Sequence, residues 1–175
     1  MKNLFTIAIL AATLTCAAQK GKTYPLTVGS TLENKGTSLP QKNGKYSIVA
    51  IAFTKAAESE LKKWLNPLYN TFMVKASGPK TIDVSTVYDV NFTFVPVIGG
   101  IKKIMEEFKT TTDKGFWPYV MDTEKTDMKD VELILEVKDR KIPYVFVLDK
   151  NGVVVDVQTG DYSEAKIDAM EEAIE

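Results

Sequence analysis

The spacing of hydrophobic and polar positions changes several times along the chain, and each change marks an element. Ser47-Ile-Val-Ala-Ile-Ala-Phe53 is a continuous apolar run, short and rich in β-branched residues, as a strand covered on both faces requires. Directly after it, Leu61, Trp64, Leu65, Leu68 and Phe72 fall at helical spacing, opposed by Lys62, Lys63 and Asn66, which predicts an amphipathic helix. Thr54 stands where a cap belongs, and Glu58 and Glu60 suit the positive end of the helix dipole. Pro67 lies inside this pattern and predicts a kink.

Gly78-Pro79 breaks the chain, after which Thr81 to Val90 reads as a second strand. Val95 to Gly100 then leads into a helix from about Ile101 to Phe108, with Ile101, Ile104, Met105 and Phe108 as its apolar face. Phe116 to Met121 reads as a short edge strand, because Pro118 interrupts its ladder. Met128, Val131, Ile134 and Leu135 form a helical stripe. The runs Tyr144 to Leu148 and Val153 to Val157 flank Asp149-Lys-Asn-Gly152, the signature of an antiparallel hairpin in which Asn151-Gly152 accepts positive φ. Ile142-Pro143 precedes its first strand, where a missing N–H is tolerated. A last helix follows Asp161 or Ser163 as cap, with Ile167, Met170 and Ile174 on its buried face. Ahead of all this, Tyr24 to Gly44 reads as a loose hairpin with little to fix its register. Strands alternating with helices require crossovers between parallel neighbours, and the hairpin adds an antiparallel pair. The fold class is therefore α/β, a mixed central sheet with helices on both faces.

The ends and the composition narrow the picture. Met1-Lys-Asn3, the apolar Leu4 to Leu14 and the small residues Cys16-Ala-Ala18 read as an export signal, 1–18, cleaved before Gln19. The competing reading keeps Cys16 as a lipid-bearing first residue, against which Thr15 is a poor fit. Gln19 to Lys22 is then a polar tail, 19–44 a tail and hairpin extension, and 45–175 the main domain. The chain carries one cysteine and no histidine, so cleavage after Ala18 leaves no thiolate, no imidazole and no Cys/His zinc site. With 22 Lys+Arg against 23 Asp+Glu there is no basic footprint for nucleic acid. No run in the mature chain is long and apolar enough to span a membrane, and neither a cofactor nor a metal is expected.

The order of elements, ending in Ile142-Pro143, a strand, Asp149-Lys-Asn-Gly152 and a closing helix, resembles the thioredoxin-like superfamily, more narrowly its peroxiredoxin and TlpA-type branch. Leu26-Thr-Val-Gly29, Gly44-Lys45, Phe116 to Asp122 and above all Pro143 to Gly152 carry the likeness. It implies a three-layer fold and an exported, periplasmic or secreted location. Phe53-Thr-Lys-Ala-Ala-Glu-Ser-Glu60 resembles the peroxiredoxin Phe-Thr-Pro-x-Cys-Thr-x-Glu segment, which places Thr54 on that family's hydroxyl and Ala57 on its peroxidatic cysteine. The family's upstream proline is Ala50 here, and no CxxC stands at the helix start. Pro143 resembles the cis-proline of the oxidoreductases; Arg140, the only arginine, is three residues away.

The resemblance implies no catalytic residue and a binding surface at Thr54, Lys55, Ala57, Glu58, Ile142 and Pro143, where a protein, an extended peptide or a small ligand would add by strand pairing at the Pro143 loop. Each residue also has a plainer reading: Pro143 as a strand entry, Thr54 as a cap, Glu58 and Glu60 as solvated carboxylates. Trp117, Tyr119, Phe92 and Phe94 read as aromatic packing rather than a groove, and Asp122, Asp127 and Asp130 as turn or cap residues rather than calcium ligands. Two other functions stay open. One is a thiol-disulfide oxidoreductase or peroxiredoxin-like enzyme that relies on a partner's cysteine; the other is a structural or assembly module of the cell envelope.

Overall fold

The structure is a computed structural model that describes residues 18–74, 88–96, 106, 109–123 and 125–174. Its elements are β1 (Thr27–Thr31), β2 (Gly36–Leu39), β3 (Tyr46–Ala52), α1 (Lys55–Tyr69), β4 (Val90–Pro96), β5 (Met121–Thr123), α2 (Lys125–Ile134), β6 (Tyr144–Leu148), β7 (Val154–Thr159) and α3 (Glu164–Glu172). The central sheet runs β4-β3-β6-β7. Its β3–β4 pair is parallel and the other two pairs are antiparallel, the mixed sheet that the alternation of elements requires.

Both faces of this sheet are covered. Ile48, Ala50, Phe92, Phe94, Val145 and Val147 pack under Leu61, Trp64 and Leu68 of α1 and Ile167 and Met170 of α3. The alternate residues Val49, Ile51, Phe146 and Leu148 pack under Met128 and Val131 of α2 and Leu135 just after it, together with Tyr24 and Leu39. Each large aliphatic or aromatic side chain so covered contributes about 1.5–3 kcal/mol, which suits a domain with no disulfide among its described residues.

Several elements differ from the sequence reading. A strand runs over Val90–Pro96, overlapping the expected Thr81 to Val90 strand at Val90; Tyr88 and Asp89 are outside it, and 81–87 of that expectation lie outside the described residues. Parallel pairing with β3 buries Phe92, Phe94 and Val95. Phe116 to Met121 is mostly a 3-10 turn, Lys114–Tyr119, opened by Asp113, whose carboxylate accepts from the Gly115 N–H at 2.7 Å. Pro118 fits that turn and would leave a gap in a ladder, so the strand begins only at Met121. Chain α1 continues through Pro67 and ends in a π-helical turn, Asn70–Val74. Ile134 is 43% exposed, outside the buried stripe of α2. Ser163 is the N-cap of α3 by backbone geometry but makes no side-chain cap bond. The helix expected from Ile101 to Phe108 falls outside the described residues apart from Glu106, as does 1–17 of the expected export signal, Cys16 included.

The N-terminal hairpin is real and has a fixed register. The strands β2-β1-β5 form a second sheet, with Gly29 opposite both Thr37 and Thr123, and an isolated Phe94–Val120 bridge joins it to β4. Gln19 to Lys22 is not a free tail. Gly21 N–H donates to Val154 O at 2.8 Å and Val154 N–H to Lys22 O at 2.9 Å, Lys20 pairs with buried Asp156 at 2.8 Å, and Gln19 is buried. The segment therefore covers the outer edge of β7, which would otherwise be open to pairing with another chain. In the β6–β7 turn, Asp149 Oδ1 accepts from the N–H groups of Asn151 and Val153, each at 2.8 Å. These N–H donors outweigh desolvation and hold the Asp149 carboxyl below its usual range. Only Gly152 takes positive φ here, +84°; its missing side chain leaves room for the Pro40 ring.

Tyr24 yields a pH prediction. Its hydroxyl is buried with no hydrogen-bond partner among the described residues, and burial pushes it well above the usual phenol range. Thr27 opposes this only weakly, its own hydroxyl donating to Pro25 O at 3.2 Å. The folded state thus keeps its proton when the unfolded chain has lost it. Stability present below about pH 10 is expected to fall by about 1.4 kcal/mol per pH unit above it. Tyr24→Phe should remove that slope and, by deleting an unpaired buried hydroxyl, raise stability at neutral pH by about 1 kcal/mol. Urea titrations at neutral and alkaline pH measure both; an unchanged alkaline slope would show that Tyr24 ionises freely.

Candidate functional site

Thr54 closes the end of β3 and opens α1. Its Oγ accepts from the Ala57 N–H at 3.3 Å and donates to the Arg140 carbonyl at 3.0 Å. One side chain therefore caps the helix and ties it to the loop before β6. The β3–β6 register, Ile51 opposite Tyr144, brings the end of β3 level with Pro143. The structure thus places Thr54 beside the Arg140–Pro143 loop, as the sequence reading expects.

Other residues sit differently. Ala57 is fully buried, its methyl part of the core under α1, so it offers no surface to a ligand. Glu58 is also buried, not solvated: Lys55 Nζ lies 3.1 and 3.2 Å from its two oxygens and Lys62 Nζ 3.2 Å from Oε1. Burial of this carboxylate is possible because two ammonium groups on the same helix reach it at i−3 and i+4. Spacing shows that these three residues share a helix face, but whether that face is covered is decided by the rest of the fold. Lys55 stays largely exposed beyond the ion pair.

Pro143 is buried and its carbonyl accepts from the Gly160 N–H at 3.0 Å. The Ile142–Pro143 bond is trans; the cis bond among the described residues is Leu39–Pro40. The expectation of a cis-proline is therefore corrected: Pro143 directs the chain into a central strand, between β3 and β7, without reversing it. Ile142 is half-buried and lines a cavity of about 160 Å³ with Gln19, Glu136, Asp139 and Tyr144. No hydrogen bond engages its backbone N–H or carbonyl among the described residues. The loop itself is stiffened by Lys141 N–H to Asp139 Oδ1 at 2.8 Å and Asp139 N–H to the Tyr144 hydroxyl at 3.3 Å. Beside it, a hydrogen bond from Lys22, 2.6 Å away, holds the Glu136 carboxyl below its usual range.

Solved structures share the fold. The thioredoxin domain of a thiol-disulfide oxidoreductase from Bacteroides vulgatus superposes with a TM-score of 0.61 at 22% identity, over 89% of this chain and 98% of that one. The fold is thioredoxin-like. A thiol:disulfide interchange protein of the thioredoxin family from Chlorobium tepidum matches the thioredoxin-like fold with a TM-score of 0.56 at 20% identity, covering 88% and 96%. An exposed lipoprotein thioredoxin of Streptococcus pneumoniae does so at 0.50 and 16%, covering 84% and 98%. No family model matches the chain, and no curated protein matches it in sequence.

Sequence reasoning missed two contributors to this site. Gln19 reaches the cavity beside Ile142 because the N-terminal segment pairs with β7, a long-range contact with no local signature. Gly160 supports Pro143 from behind β7, and only its position just after a β-rich run hinted at a turn.

Proposed function

We propose that the protein is an exported thioredoxin-like domain, of the peroxiredoxin and TlpA-type branch, that binds a protein or extended peptide without redox chemistry. Its surface for this is formed by Thr54, Lys55 and the backbone of Ile142 ahead of Pro143. The observation that carries the reading is Ala57: where the resemblance places a thiolate there is a methyl group, fully buried, and the chain after Cys16 holds neither cysteine nor histidine. The unengaged backbone of Ile142, next to a capped helix start, supplies the hydrogen-bonding edge that strand addition uses. The leader read over 1–18 and the likeness in fold to an exposed lipoprotein thioredoxin of Streptococcus pneumoniae support an extracytoplasmic place. On this reading, 19–44 is an extension packed on a domain spanning 45–175.

The test is chemical. The purified protein is expected to leave insulin disulfides and hydrogen peroxide unturned above background. Ala57→Cys should not restore turnover, because its thiol is sealed in the core: labelling by a disulfide reagent in native buffer should run at least about a hundredfold slower than in denaturant. Ala56→Cys, at an exposed neighbour, should label at once. Rapid native labelling and turnover by Ala57→Cys would overturn the reading. A second function, turnover with a cysteine brought by a partner, is favoured by the likeness in fold to thiol-disulfide oxidoreductases; it predicts activity only in mixtures with that partner.

A further inference from the structure

The cavity of about 160 Å³ beside Ile142 has a buried floor and a charged rim. Gln19, only 3% exposed, and Tyr144 are its buried members, while Glu136, Lys138 and Asp139 are exposed. The Gln19 backbone carbonyl accepts from the Lys22 N–H at 3.3 Å, but its side-chain carboxamide makes no hydrogen bond to any described residue. Nor is that carboxamide among the buried polar atoms sealed from solvent, so its small accessible area opens on the cavity. Buried amides are nearly always partnered, and this one offers both N–H donors and a carbonyl oxygen to whatever enters. Charge on the rim is balanced: Lys22, 2.6 Å from Glu136, and Lys138 offset Glu136 and Asp139, which selects neither a cation nor an anion. In size the cavity equals about five waters of liquid, the bulk of a side chain of about four or five heavy atoms.

We propose that this cavity is a specificity pocket for a peptide strand added at Ile142, and that it takes a carboxamide side chain, Asn or Gln, through reciprocal hydrogen bonds with Gln19. The inference rests on the strand-addition reading above and names the side chain that reading leaves open. A strand paired with the Ile142 backbone turns alternate side chains to one side, and the cavity abuts that same residue. An entering carboxamide meets Gln19 with both an acceptor and a donor. An ammonium would meet only its oxygen, a carboxylate only its N–H groups, and an aliphatic chain neither.

NMR titration of the isotope-labelled full chain with capped Val-Thr-Xaa-Thr-Val peptides, Xaa being Gln, Asn, Met, Lys or Glu, tests it. Shifts of the Ile142 amide report strand addition, and the ranking of Xaa reports the pocket. The Gln or Asn peptide should bind about tenfold tighter than the Met peptide, the difference expected of two neutral hydrogen bonds. Gln19→Leu should abolish that preference and leave the Met peptide binding as before, while Gln19→Glu should transfer the preference to Lys. Pairing with β7 is carried by the backbone of Gly21 and Lys22, so both variants should keep the fold, which the far-UV spectrum and unfolding midpoint check. Equal binding of every peptide to wild type, or a Gln preference that survives Gln19→Leu, would overturn the pocket and leave strand addition standing. An equal loss for every peptide in Gln19→Leu would do the same, since Gln19 would then act only through folding. Ile142 amide shifts absent with every peptide would overturn strand addition and the pocket together.

Discussion

Trp64→Ala is expected to lower the unfolding free energy by about 4 kcal/mol. The indole is fully buried, its N–H donates to the Gly160 carbonyl at 3.0 Å, its ring meets Tyr162 edge-on at 5.8 Å between centroids, and Lys166 Nζ stands 5.7 Å from the ring. Truncation opens a cavity between α1 and the sheet and leaves the Gly160 carbonyl without its donor, two separate losses. Since the Gly160 N–H holds the Pro143 carbonyl, the damage should extend to the candidate site. Faster amide exchange at Gly160 would report it. Trp64→Phe keeps most of the packing and loses only the N–H, so about half the cost should remain. Urea unfolding followed by far-UV circular dichroism measures both, and a loss below about 1.5 kcal/mol for Trp64→Ala would show that the core closes over the gap.

Gly29→Ala is expected to cost about 3 kcal/mol. In β1 this glycine lies opposite Thr123 and beside Asp122 of β5. A methyl group there would run into the Asp122 backbone carbonyl and the Met121 side chain. Backbone cannot turn aside as a flexible side chain can, so the β1–β5 pairing must open. The Val28 N–H to Asp127 bond that seats α2 on β1 should open with it. Hydrogen exchange should therefore quicken at Val28, Ser30 and Thr123 while β3 and β6 keep their protection. Chemical denaturation gives the magnitude; a variant as stable as wild type with β5 protection intact would disprove the steric account.

Much of the architecture was legible from short-range pattern. The unbroken apolar run of β3 and the 3.6-residue stripe of Leu61, Trp64 and Leu68 state their own environments, because burial on two faces or on one stripe constrains every position locally. Asp149-Lys-Asn-Gly152 likewise contains its own turn, the carboxylate and the positive-φ glycine both being internal to it. The candidate site was legible in part: Thr54 as a cap beside the Arg140–Pro143 loop, but not Ala57 and Glu58 as buried residues.

By itself, the sequence determined an α/β chain with a mixed sheet, a capped helix after the central strand, and a stretch after Cys16 without thiol or imidazole. Those follow from periodicity and from residue identity, which need no partner to be read. Tertiary structure decided where β4 begins, that Pro143 is trans, that Gln19 to Lys22 lies along β7, and that Glu58 is enclosed by two lysines. Each of these turns on segments distant in the chain competing to cover the same backbone or carboxylate. That competition is settled by total burial and hydrogen bonding, which no local window of residues contains.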